Sequence, residues 1–236
     1  MSDIWTIIWK ESKDSLFQGG WRSLIRPLFV IAIMGIYLPL QFGLRWVDLT
    51  PIGMVLLLWV PFFVIISFIG DAIAGERERH TLETLLASRM PDWAILLGKI
   101  ITTVLYAWGM GVLSILLGLV LVDLFRTQGH WMFYPLDLFA DAIVLSLLAS
   151  VLGASAAVLI SLRVSTVRQA QQILSVGTIV VVFGGIIALR NVPANVVSSL
   201  TYPQILLIAM AVIAVLDAIL LGLSLLSFQR SRLILS

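Results

Sequence analysis

The stretch Leu96-Leu-Gly-Lys-Ile-Ile-Thr-Thr-Val-Leu-Tyr-Ala-Trp-Gly-Met-Gly-Val-Leu-Ser-Ile-Leu-Leu-Gly-Leu-Val-Leu-Val122 decides the fold class. It holds one charge, Lys99, near its start and none after it. Crossing the hydrocarbon core of a bilayer takes ~20 apolar residues. In lipid the backbone must satisfy its own hydrogen bonds, within a helix or around a closed barrel. The stretch shows no polar–apolar alternation, so it predicts a helix. Five further runs have the same character: Leu28–Leu44, Ile52–Ile73, Leu138–Leu162, Ile173–Leu189 and Ile205–Phe228. Hydrophobic residues make up 60% of the 236 and charged residues 12%, with a mean hydropathy of +1.07. A soluble domain carries about 25% charged residues. Half that share cannot cover a water-facing surface. The expectation is an all-α integral membrane protein of six transmembrane helices, a single transmembrane domain over residues 1–236 with no soluble domain of its own.

Charge placement orients the spans. Lys10, Lys13, Arg22 and Arg26 precede the first. Arg77, Arg79, Arg89 and Lys99 lie between the second and third, Arg163 and Arg168 between the fourth and fifth, and Arg230 and Arg232 after the sixth. These twelve face only three, Arg45, Arg126 and Arg190, on the other side. The excess of Lys and Arg in cytoplasmic loops places both termini in the cytoplasm of a multi-pass protein of the inner (plasma) membrane. Trp46, Trp131, Tyr134 and Tyr202 in the outer loops are expected as interfacial markers. The charges Asp3, Lys10, Glu11, Lys13 and Asp14 interrupt the N-terminus, which does not read as a cleavable signal.

Within residues 1–22, Ile4, Trp5, Ile8, Trp9 and Leu16 fall on one side of a helical wheel and Lys10, Lys13 and Asp14 on the other. This predicts an amphipathic helix lying along the membrane interface. Small residues repeat on the spans: Ala149, Gly153 and Ala157 on the fourth, Gly111 and Gly118 on the third, Gly177 and Gly184 on the fifth. Such faces let helices approach closely in lipid, within one chain or between two.

The segment after the second span is different. Asp71-Ala-Ile-Ala-Gly-Glu-Arg-Glu-Arg-His-Thr-Leu-Glu-Thr-Leu-Leu-Ala-Ser-Arg-Met-Pro91 carries Glu76, Arg77, Glu78, Arg79 and Glu83, then Leu82, Leu85 and Leu86 at helical spacing. That is a cytoplasmic amphipathic helix, over about residues 74–95, interrupted by Pro91. A loop that only sets topology needs the arginines but not the interleaved glutamates. Mixed charge beside an apolar stripe suits a docking helix for a protein partner.

On these residues the chain resembles the ABC type-2 exporter permeases, the membrane subunits of two-component ABC exporters. The resemblance rests on Asp71, Gly75-Glu76-Arg77-Glu78-Arg79, Thr81-Leu82-Glu83, Leu85-Leu86 and Leu97-Gly98-Lys99. His80 stands where the family usually has Gly, and Arg89-Met90-Pro91 where it has Ser-Pro. The resemblance implies that the segment is a coupling helix seated in a cytoplasmic ABC ATPase, through Glu76, Arg77, Glu78, Arg79, Thr81, Leu82, Glu83, Leu85 and Leu86. It implies that the N-terminal helix is the elbow helix, that ATP and Mg bind in the partner ATPase, and that a second permease subunit completes a homodimer. Nucleic acid is not an expected partner.

The residues themselves narrow the alternatives. No G-x-x-x-x-G-K-[ST] loop occurs, so ATP hydrolysis is expected in a separate chain. The chain has no cysteine, which removes thiolate chemistry and cysteine metal sites. Its two histidines, His80 and His130, fall on opposite sides of the membrane and form no H-E-x-x-H pair. No catalytic, cofactor-binding or metal site is expected. Asp217 is the one acid deep in a span, and such acids are costly enough to be functional candidates. A haem-export permease of cytochrome maturation, or an ATP-independent secondary transporter or channel, are the other readings of the same architecture.

Overall fold

The computed structural model describes residues 5, 7–9, 13, 25, 28–47, 59–66, 75, 78, 91–126, 133–190 and 201–228. Among them every regular element is helical. In chain order these are α1 (Leu28–Phe42), α2 (Leu44–Val47), α3 (59–66), α4 (Asp92–Arg126), α5 (Leu136–Arg163), α6 (Val167–Arg190) and α7 (Tyr202–Ser227).

Among the described residues three helices are long and apolar enough to cross a membrane: Trp93–Phe125 within α4, Leu136–Arg163 as α5, and Pro203–Ser227 within α7. They correspond to the third, fourth and sixth expected spans. α6 lies where the fifth was expected. Of the second expected span, only 59–66 is among the described residues. The first is not a regular helix. It contains a π-helical stretch, Ala32–Tyr37, and ends at Gly43, whose φ of 59° breaks the run before Leu44.

Two buried clusters reveal how the helices run. One joins Ile95 and Leu96 from the start of α4, Val158 from the end of α5, Leu174 near the start of α6 and Phe228 just past α7. The other joins Val122 from the end of α4 with Ala142 and Leu145 from the start of α5, and Met210 and Ile213 of α7 pack against it. α4 and α5 are therefore antiparallel, while α5 and α7 run the same way. The chain between α5 and α7 has to cross back. α6 is the helix that does so, and its 24 residues span about 36 Å at 1.5 Å per residue.

Close contact follows the small residues. Ala149, Gly153 and Ala157 are buried on α5. A Cβ added at Gly153 would lie 2.7 Å from Ile65 Cδ1, and one at Gly118 would lie 2.6 Å from Trp46 Nε1 and 2.9 Å from Pro39 Cγ. Both glycines are packing sites within the chain. Polar side chains in the helices mostly turn back onto their own backbone: Ser114 donates to the Met110 carbonyl, Ser150 to Ser146 and Thr178 to Leu174. These bonds remove donors from contact with lipid. Trp108 Nε1 crosses from α4 to donate to the Ile143 carbonyl of α5 at 3.2 Å.

Two expected interfacial markers are core residues instead. Trp46 is 2% exposed and Tyr134 is buried, in the cluster that holds Ile115 and Val122. The Tyr134 hydroxyl donates to the Ile115 carbonyl at 3.1 Å, and burial pushes its phenol pKa upward, so that donor stays protonated. Gly118 explains the displacement of Trp46: it leaves room on α4 for a large ring. Lys99, near the start of α4, is buried.

Candidate functional site

The N-terminal helix was expected to present Ile4, Trp5, Ile8, Trp9 and Leu16 as its apolar face; Ile4 and Leu16 lie outside the described residues. The structure buries Ile7 instead, while Trp5 and Trp9 are 69% and 68% exposed. A Cβ at Gly98 would lie 2.6 Å from Ile7 Cγ2. Gly98, which belongs to the Leu97-Gly98-Lys99 motif, thus serves as the seat for Ile7. The exposed tryptophans retain the amphipathic character expected of a helix at the membrane surface.

Of the proposed coupling residues, Glu78 is described. Glu76, Arg77, Arg79, Thr81, Leu82, Glu83, Leu85 and Leu86 lie outside the described residues, as does Asp71. Gly75, in the same motif, is helical and buried, and Glu78 is helical and exposed. Glu78 Oε1 accepts the backbone N–H of Val167 at 2.9 Å, across 89 positions of sequence.

Val167 is the first residue of α6. The opening N–H groups of a helix have no partner inside it, and that end carries partial positive charge. Thr166, immediately before, accepts the Gln169 N–H with its hydroxyl at 3.2 Å. The start of α6 thus holds two caps, one local from Thr166 and one distant from Glu78. The local cap was readable in advance. Thr166-Val-Arg-Gln169 fits the T-x-x-Q pattern of a helix start, as does Thr201-Tyr-Pro-Gln204 at α7, where Gln204 Oε1 accepts the Thr201 N–H at 2.8 Å. Nothing local to either segment signals the distant cap.

Beside this junction lies a cavity of about 880 Å³. One wall is apolar, from Ile25, Phe29, Val30, Phe63 and Ile66. The first turns of α6 supply the rest of the lining, with the polar Arg168, Gln171, Gln172 and Ser175 and the apolar Val176. A second cavity of about 290 Å³, among α3, α5, α6 and α7, is lined almost wholly by apolar side chains, among them Phe62, Leu174 and Leu220. The larger space thus has a cation and amides on one side and hydrocarbon on the other.

Asp217 is 5% exposed on α7, and neither carboxylate oxygen meets a hydrogen-bond partner among the described residues. Ser155 Oγ, on α5, is likewise buried and without one. The structure does not bring Asp217 together with Glu78 or with the residues of the large cavity named above.

A family model described as ABC-2 family transporter protein matches residues 47–226. A comparison with curated proteins finds no match.

Proposed function

This chain belongs to the ABC-2 transporter family, as a membrane permease of an ABC-type transporter, and from that premise we propose that it is the membrane subunit of an ATP-driven exporter. It forms the translocation path and draws its energy from a separate cytoplasmic ATPase, which binds ATP and Mg. The observation that carries this reading is the extent of the family match, which takes in the charged segment together with the helices that follow it. The lack of a phosphate-binding loop in the sequence agrees with hydrolysis in another chain.

In this reading the charge asymmetry sets both termini in the cytoplasm and the protein in the plasma membrane. Glu76, Arg77, Glu78, Arg79, Thr81 and Glu83 meet the ATPase, and Leu82, Leu85 and Leu86 supply the apolar stripe. The large cavity, beside the Glu78 junction, is the inward-facing space. Binding and hydrolysis of ATP shift the population between inward and outward access through contacts that differ between the two states. A second copy of the chain pairs along α6. Val176, Val180, Phe183 and Ile187 are exposed there, and a Cβ at Gly177 or Gly184 would meet nothing within 4 Å.

Co-expression with candidate ABC ATPase subunits of the same organism tests this. A stable complex is expected, with ATP hydrolysis that depends on the permease. Glu76→Arg together with Glu83→Arg should release the ATPase. Retention of the ATPase with unchanged hydrolysis in that variant would remove the charged segment from the interface.

A further inference from the structure

We infer that Glu78 is a positioning residue whose bond to the first turn of α6 makes the polar wall of the large cavity move with the charged segment. The inference rests on the reading of that segment as the seat of an ATPase. It assigns Glu78 a task inside the permease, distinct from contact with the partner.

The argument begins with what the bond is not needed for. Thr166 already caps α6 locally, and the Val167 N–H is exposed, so water could satisfy it. Helix formation does not require a carboxylate from 89 residues away. The bond does tie two segments that are otherwise far apart in the chain. A carboxylate on a helix N-terminus is a charge-assisted contact, stronger than a neutral one and favoured by the helix dipole.

Geometry supplies the rest. Arg168, Gln171, Gln172 and Ser175 follow Val167 within eight residues of one helix and line the cavity. Eight residues of α-helix extend about 12 Å, a length over which a helix moves as a rigid rod. A pull at Val167 therefore reaches the whole polar wall. The rest of the lining comes from Ile25, α1 and α3, whereas the bond of Glu78 goes to α6, so a pull along it acts directly on the polar wall.

The test uses the fact that the chain has no cysteine. In the complex with its ATPase, Gln172→Cys is labelled by a membrane-impermeant maleimide, with and without ATP. Four substitutions are then added singly. Glu78→Ala removes the acceptor. Val167→Pro removes the donor at the first helical position, where proline fits. Val167→Ala keeps the donor and is the control. Labelling of the parent should respond to ATP. Glu78→Ala and Val167→Pro should each shrink that response about three- to tenfold. The two together should do no more than either alone, because they break one bond. Glu78→Gln, whose amide oxygen still accepts, should restore most of the response, and hydrolysis and partner retention should persist in Val167→Pro. An undiminished response in both disruptive variants overturns the inference. So does loss of the ATPase in Glu78→Ala with an undiminished response in Val167→Pro, because partner contact would then be the whole task of Glu78. A parent whose labelling ignores ATP while the ATPase is bound brings down the exporter reading and this inference with it.

Discussion

Gly118 and Gly153 sit where another helix presses against them; Gly177 and Gly184 sit where nothing does. All four look alike in sequence, each a small residue in an apolar run. The first two belong to α4 and α5, the tight part of the molecule, where Trp46, Pro39, Ile65 and Phe62 occupy the space a side chain would need. The other two belong to α6, where Gly177 lines the smaller cavity and an added Cβ at Gly184 would meet nothing within 4 Å. Small-residue spacing alone does not reveal whether a helix is packed. What decides is the presence of a partner element.

Overpacking the tight side should have the largest effect. Gly118→Leu drives a side chain into the Trp46 and Pro39 rings and should cost ~3 kcal/mol. Thermal unfolding in detergent, followed by tryptophan fluorescence, would show it. An unchanged midpoint would erase the contrast between α4 and α6. Next comes Gly98→Val, which should dislodge Ile7 at a cost of ~2 kcal/mol. Faster tryptic cleavage after Lys13 is the expected readout, and an unaltered rate would mean the N-terminal segment is held elsewhere.

Asp217 is the one acid on α7, which packs against α5, and its carboxylate meets no hydrogen-bond partner among the described residues. A buried carboxylate without a partner destabilises its surroundings, so Asp217→Leu should raise stability by ~1–2 kcal/mol. A lowered midpoint would show that the carboxylate is engaged in the assembled protein. The smallest effect belongs to Gly177→Ala with Gly184→Ala. Neither added methyl meets an atom within 4 Å, and alanine favours helix by ~1 kcal/mol per site over glycine. The isolated subunit should be as stable or slightly more so. Loss of dimer in cross-linking, with subunit stability intact, would sharpen the comparison by placing α6 at the subunit seam.

Legibility followed the same division. The long apolar helices were readable because burial in lipid depends on composition, which needs no partner. The run expected at Leu96–Val122 is α4, Asp92–Arg126, starting directly after Pro91. That expected at Leu138–Leu162 is α5, Leu136–Arg163. Ile205–Phe228 became α7, Tyr202–Ser227. Residues whose place depends on a neighbour were misread. Trp46 and Tyr134 looked interfacial because aromatic residues in loops usually are, yet Gly118 and the start of α5 offered them a core. Ile7 was overlooked on the N-terminal helix because its binding surface, Gly98, lies 91 positions away. The charged segment declared itself through Glu76, Glu78 and Glu83, but the acceptor role of Glu78 toward Val167 had no local signature.

The sequence by itself determined that the chain lives in a membrane as helices, which way its charges favour orienting it, and which family it resembles. These follow from transfer free energies and motif spacing, properties each segment holds alone. Only the tertiary structure decided which glycines are contacts, that Trp46 is core, and that Glu78 caps α6 beside the large cavity. Those depend on distances between segments far apart in the chain, and such distances exist only once the helices have packed.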